Sequence, residues 1–141
     1  MAVHKALLIA SVLAWLITPA FAQTSPPALS GNYLPQVLAS SEAHRESLER
    51  LIAGKPGLPY WIRSLTRQSR YVALASEEVT VRAKPMQLFR ACEAGRCEAS
   101  WLRILYSADG KRGLLYIFDD KLGIKIFGDP LPEELSFLTR G

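Results

Sequence analysis

Met86-Gln87-Leu88-Phe89-Arg90-Ala91, then Cys92-Glu93-Ala94-Gly95-Arg96-Cys97, then Ser100-Trp101-Leu102-Arg103-Ile104-Leu105-Tyr106: two β-patterned runs with the only two cysteines of the chain between them. In the second run Trp101, Arg103 and Leu105 fall on one face and Leu102, Ile104 and Tyr106 on the other, the period of two that marks a strand. Four residues between two cysteines is a span that a disulfide can close at a hairpin tip. Gly95 permits a tight bend at positive φ. The stretch therefore reads as an antiparallel hairpin ending in a rigid, closed loop, Cys92 to Cys97.

Other uses of the two thiols fit less well. A catalytic redox pair normally sits as C-x-x-C at a helix start, where the thiolate is stabilised, and C-x4-C between strands has neither feature. Zinc would want further Cys or His ligands, and beyond the export segment the sequence offers only His44. An even cysteine count in an exported chain favours a structural bridge.

Outward from the hairpin the strand texture continues. Ser107-Ala108-Asp109-Gly110 carries the Asp-Gly turn signal and leads into Gly113–Phe118. Asp119–Gly123 is the next turn, and Ile124–Phe127 the next strand. Towards the N-terminus, Val79–Val81 joins Met86–Ala91 through Arg82-Ala83-Lys84-Pro85. Pro85 cannot donate to a ladder and belongs at a strand's first residue or an edge. Arg70–Ala75 is a further strand. After Gly128-Asp129-Pro130, Pro132 opens a short helix over Glu133–Leu138, with acids in its first turn as the helix dipole prefers.

Ahead of the strands the apolar period is helical. Leu34, Val37, Leu38, Ser41, Leu48, Leu51 and Ile52 follow three-and-four spacing. Pro35 suits the first turn, and Gly54 and Pro56 stop the helix. His44, among polar neighbours, is expected to face solvent. A shorter helix begins at Leu58-Pro59-Tyr60-Trp61-Ile62, with Trp61 and Leu65 on one buried face and Arg63, Arg67 and Arg70 as a solvated basic stripe. The fold class is therefore α+β: about five antiparallel strands, an N-terminal helix pair and a short C-terminal helix. A sheet with apolar residues on both faces needs cover on both, so a homodimer is one expectation.

The chain opens with the features of a secretory signal: His4 and Lys5, the apolar run Ala6–Ile17, the break at Pro19 and an A-x-A site at Ala20-Phe21-Ala22. Cleavage after Ala22 and a periplasmic destination follow. Twelve residues are too few for the roughly 20 that span a bilayer as a helix. The expected organisation is a signal peptide (1–22), a flexible Pro- and Ser-containing leader (23–32) and a single domain (33–141). About 119 residues then remain, enough for one core. Removing Lys5 lowers the formal charge from +4 to +3. With no Lys/Arg run, nucleic acid is not an expected partner.

No catalytic constellation is legible. His44 has no partner nearby, and Glu77-Glu78, Asp119-Asp120 and Glu133-Glu134 fall at turns or helix starts, where solvated carboxylates are expected. There is no Gly-rich phosphate loop or metal cluster, so neither enzyme activity nor a cofactor is expected. Binding remains. A closed loop loses little entropy on docking, and Arg96 offers a planar cation suited to a carboxylate.

From about Leu34 to Leu138 the sequence resembles the inhibitor of vertebrate lysozyme (Ivy) family. The resemblance is carried by Leu58-Pro59-x-Trp61, Val79-Thr80-Val81 running to Ala91-Cys92, the C-x4-C loop, and Phe127-Gly128-Asp129-Pro130. It implies a periplasmic proteinaceous inhibitor whose disulfide-closed loop plugs the cleft of a lysozyme and engages its catalytic carboxylates. The family's inhibitory loop reads Cys-Lys-Pro-His-Asp-Cys, with the histidine as central contact. Here Cys92 and Cys97 match, while Glu93 stands at the lysine, Ala94 at the proline, Gly95 at the histidine and Arg96 at the aspartate. The imidazole is gone and two charges reverse, which implies a plug with altered chemistry. Either Arg96 replaces the histidine from one residue further along, or the target is another muramidase, such as a lytic transglycosylase. The alternative reading keeps the fold as an envelope module that binds anionic polymer or lipid through its arginines.

Overall fold

A computed structural model describes residues 19–22, 25–68 and 70–140. The basic and apolar parts of the expected signal, and the first two residues of the expected leader, lie outside the described residues. No helix among the described residues is long and apolar enough to cross a membrane.

The strand pattern produces one antiparallel sheet. Its strands are β1 (Tyr71–Ala73), β2 (Glu77–Val81), β3 (Lys84–Glu93), β4 (Ser100–Ser107), β5 (Gly113–Asp119) and β6 (Gly123–Phe127). The order across the sheet is β1-β3-β4-β5-β6, with β2 also on β3. β1 and β2 are two parts of one edge. β1 pairs with the Ala91–Glu93 end of β3 and β2 with its Lys84–Leu88 end. From β2 onwards every strand pairs with the next in sequence, so the sheet is a meander.

Side-chain alternation along β4 divides the core as its sequence dictates. Leu102, Ile104 and Tyr106 join Phe89, Leu115 and Ile117 on one face. That face is covered by α1 (Leu34–Ser40), α2 (Glu42–Ile52) and α3 (Tyr60–Arg63), through Leu34, Leu38, Leu48 and Ile62. Trp61 and Leu65 are both buried there, on the shared face that their spacing predicts. The opposite face carries Leu88, Leu105 and Leu114 and is covered by α4 (Pro132–Thr139) through Leu138 and Phe137. Fully burying a Leu or Ile side chain is worth about 1.5–3 kcal/mol. The protein is α+β, with helices on both faces.

Several local expectations change. The single helix expected from Leu34 to Ile52 is two, broken at Ser41. Ser41 has extended backbone (φ −118°, ψ 108°), ends α1 and caps α2 with its hydroxyl. Serine is a strong N-cap because its oxygen takes an otherwise orphaned N–H. The second helix is one turn, α3, and β1 covers only Tyr71–Ala73 of the expected Arg70–Ala75. The β2–β3 turn is the pair Arg82-Ala83, both at positive φ (49° and 62°), and Lys84 and Pro85 already belong to β3. Pro85 pairs with Thr80 of β2 just before β4 joins on the other side, at Met86.

The end of the expected leader is fixed to the sheet edge. Ser76 Oγ donates to the Leu29 carbonyl (2.8 Å) and accepts from Asn32 N (3.0 Å). Gly31 N and Ser76 N add backbone bonds to Ser76 O and Asn32 O.

Candidate functional site

The ends of β3 and β4 position the loop. Cys92 and Cys97 are bonded, with Cα atoms 4.8 Å apart. Arg96 N donates to Glu93 O (2.9 Å), so Glu93–Arg96 forms a β-turn. Gly95 occupies its third position at φ +79°, which is the type II requirement for glycine. A Cβ added to Gly95 would meet nothing within 4 Å. Ala94, Gly95, Cys97 and Glu98 are exposed, whereas Cys92, Glu93 and Arg96 are half-buried.

Arg96 does not project as a free fork. Its Nη1 donates to Glu93 Oε2 (2.6 Å) and its Nη2 to Asp120 Oδ1 (2.7 Å). Asp120 N also donates to the Ala99 carbonyl (2.8 Å). The guanidinium thus ties the β3–β4 loop to the β5–β6 turn, two turns that a meander necessarily brings to the same end of the sheet. Charged, short hydrogen bonds of this kind are roughly twice as strong as neutral ones. The three exposed or half-exposed acids Glu93, Glu98 and Asp120 stand against Arg96 and exposed Lys121, so the tip is slightly acidic on a basic protein.

Beneath the clamp lies a buried polar base. Asp119 Oδ1 accepts from Lys121 N (2.9 Å) and Leu122 N (3.0 Å), which shapes the β5–β6 turn. Burial alone would raise the Asp119 pKa. The Ser100 hydroxyl, those two N–H groups and nearby Arg96 outweigh it and hold the carboxyl below its ordinary value. Ser100 also accepts from Trp61 Nε1 (2.9 Å), which links the base of the loop to α3.

The remaining sequence candidates lie elsewhere. His44 does not face solvent: it is 8% exposed, packed edge-on against Tyr106 with centroids 4.7 Å apart. Its Nδ1 lies 2.6 Å from Ser41 Oγ, and its Nε2 makes no hydrogen bond of normal geometry. Burial lowers its pKa, opposed by the Gln87 side chain and Asp109. Of the three acid pairs, Glu77 and Glu133 are exposed and bridge to Arg90 and Arg82. Asp119 and Glu134, expected to be solvated, are buried instead. Glu134 accepts from Arg112 and from Leu131 N, which fastens the start of α4. These carboxylates are structural, because a buried charge requires a partner or strong donors.

The loop residues Cys92 to Cys97 therefore stand together as the sequence places them. Their brace, Asp120 with Asp119 and Ser100, is not visible in the loop itself. Its signal is topological: consecutive hairpins put alternate turns side by side.

No family model matches the chain, and no curated protein matches it.

Proposed function

We propose that this chain is a periplasmic inhibitor of a peptidoglycan-cleaving muramidase, a lysozyme or a lytic transglycosylase, that seats the Cys92–Cys97 loop in the target's cleft. The observation that carries the reading is a narrow, uncharged tip, Ala94-Gly95, held out on a bridged and clamped hairpin. Pre-organisation of this kind reduces the entropy cost of docking. The resemblance to the Ivy family supports the same loop as the plug.

The clamp alters the part given to Arg96. With both arms of its fork committed, Arg96 acts as a positioning residue, and Ala94 and Gly95 make the deepest contacts. Glu93, Glu98 and Asp120 flank the tip and suit a target whose cleft rim is basic, where complementary charge speeds encounter.

Purified protein assayed against animal-type lysozyme, goose-type lysozyme and several lytic transglycosylases tests the reading. Inhibition of at least one is expected. Ala94→Trp, a bulky change at an exposed tip, should abolish it without unfolding the protein. Arg96→Ala should weaken inhibition by roughly the 2 kcal/mol of a hot spot. Asp120→Asn should reproduce part of that loss if Arg96 works through loop position, and none of it if Arg96 touches the target. No inhibition of any enzyme in the panel overturns the proposal.

A further inference from the structure

α4 covers only part of its face of the sheet. Cross-strand register defines two rows on that face nearer the disulfide. One runs Val72, Cys92, Trp101, Phe118, Ile124. The next runs Arg90, Arg103, Tyr116, Ile126, with Leu74 joined to Arg90 through its N–H (3.0 Å). The ends of these rows are exposed: Val72 45%, Leu74 56%, Ile124 57% and Ile126 42%. Between β1 and Trp101 they enclose a groove of about 400 Å³, lined by Val72, Leu74, Arg90, Cys97, Trp101 and Arg103.

Two features of the groove are unusual for a merely solvated face. Arg90 and Arg103 stand directly opposite in register, and like charges so placed destabilise a sheet. Arg90 is compensated by Glu77 at 2.9 Å. Arg103 is only 9% exposed and makes no ion pair among the described residues. Its Nη1 donates to the Leu138 carbonyl (3.1 Å), and its guanidinium lies 4.8 Å from the centre of the Trp101 ring. A guanidinium carries five N–H donors, and beyond Nη1 this fork has donors that meet no acceptor among the described residues and are open to a ligand from the groove.

We propose that this groove is a protein-docking surface that takes an extended segment of a partner carrying a carboxylate side chain between aliphatic ones, with the carboxylate on Arg103. Charge complementarity and the aliphatic rim select this occupant. A second copy docking face to face would present the same patch to itself and bring two Arg90–Arg103 pairs together. A polyhydroxylated glycan would leave the exposed aliphatic side chains of the rim, Val72 and Leu74, without apolar partners. Trp101 and Arg103 beside the apolar Val72 and Leu74 have the composition of a binding hot spot. The groove is independent of which enzyme, if any, the loop inhibits.

The test is an NMR titration of the purified protein with acetyl-Val-Glu-Val-amide and, separately, acetyl-Val-Gln-Val-amide, following the Trp101 indole N–H and the Arg103 side chain. The Glu peptide is expected to bind in the millimolar range that a few contacts support, about tenfold tighter than the Gln peptide. Arg103→Met should remove that difference. Leu74→Asp, at an exposed rim position that does not endanger the fold, should remove it as well by repelling the carboxylate. Equal affinity for the two peptides, or no shift at Trp101, overturns the proposal. So does tighter binding of an acidic oligosaccharide such as oligogalacturonate, or a concentration-dependent dimer that protects Trp101 from the peptide.

Discussion

His44 shows how far a single side chain can depart from its sequence neighbourhood. Ala43, Arg45 and Glu46 surround it in the chain, yet the β4–β5 loop folds over the start of α2 and buries it. Ser47 Oγ reaches the Gly110 carbonyl at 2.8 Å across 63 residues. A Cβ on Gly110 would lie 2.2 Å from His44 Nδ1, so only glycine allows that approach. A helical period cannot display a cover supplied from so far along the chain. The consequence is a pH dependence of known sign. The folded protein holds His44 neutral with a lowered pKa, so below about pH 6.5 the unfolded chain takes up a proton that the folded one excludes. Stability should fall as pH drops from about 6.5 towards the folded pKa, by at most about 1.4 kcal/mol per pH unit. Asp119 and Glu134 have depressed pKa values, and their contribution is lost only lower, as pH falls through the carboxylate range. Thermal melts between pH 7.5 and 5 should show the slope in the wild type and its loss in His44→Gln.

Among the elements, the strands were the most legible and the helix ends the least. Alternation over Ser100–Tyr106 assigns each residue to its correct face because a strand's period leaves only two choices. The break at Ser41 is hidden because Leu38 and Leu48 keep helical spacing across it, although the Ser-Ser pair and the acid that follows are a usable N-cap signal. The β2–β3 turn lies within the expected Arg82–Pro85 connection but is two residues shorter, and its chemistry is unfavourable. Arg82 and Ala83 both take positive φ, where a two-residue hairpin of this type prefers Asn-Gly and an L-residue loses roughly 1–2 kcal/mol. Ala83→Gly should therefore stabilise the protein by about 1 kcal/mol, read as a higher urea midpoint with unchanged slope. A decrease would show that the Ala83 side chain makes a contact outweighing the strain.

For the whole molecule, the α+β class follows from the order of patterns, helices then strands then a helix. The face on which α4 lands does not, because Leu135, Phe137 and Leu138 say only that it packs somewhere. Its place is fixed by Glu134, which accepts from Arg112 at the far end of the sheet from the disulfide, and this leaves the ends of the rows through Trp101 and Arg103 exposed. The disulfide loop was fully legible as a bridge, and its clamp was not, since Asp120 lies 24 residues from Arg96. Bridge and clamp hold the same loop, so losing one should loosen the loop without unfolding the chain. Cys92→Ser with Cys97→Ser should cost about 2 kcal/mol, the chain-entropy value for so short a loop, and leave a cooperative fold. Loss of all near-ultraviolet circular dichroism in that variant would contradict this.

The meander has a kinetic consequence. β3 and β4 are the two longest strands, they lie inside the sheet order, and their connection is the one that is covalently closed. An oxidised unfolded chain begins its search with that turn already made, and each further strand can add to a neighbour next to it in sequence. Topologies of low contact order fold quickly, and a constraint already present in the nucleus speeds folding while leaving unfolding nearly unchanged. The bridge should therefore appear in the refolding limb of a chevron plot. With the bridge formed, its main effect on the chain is less time spent with unpaired strand edges exposed to other unfolded proteins.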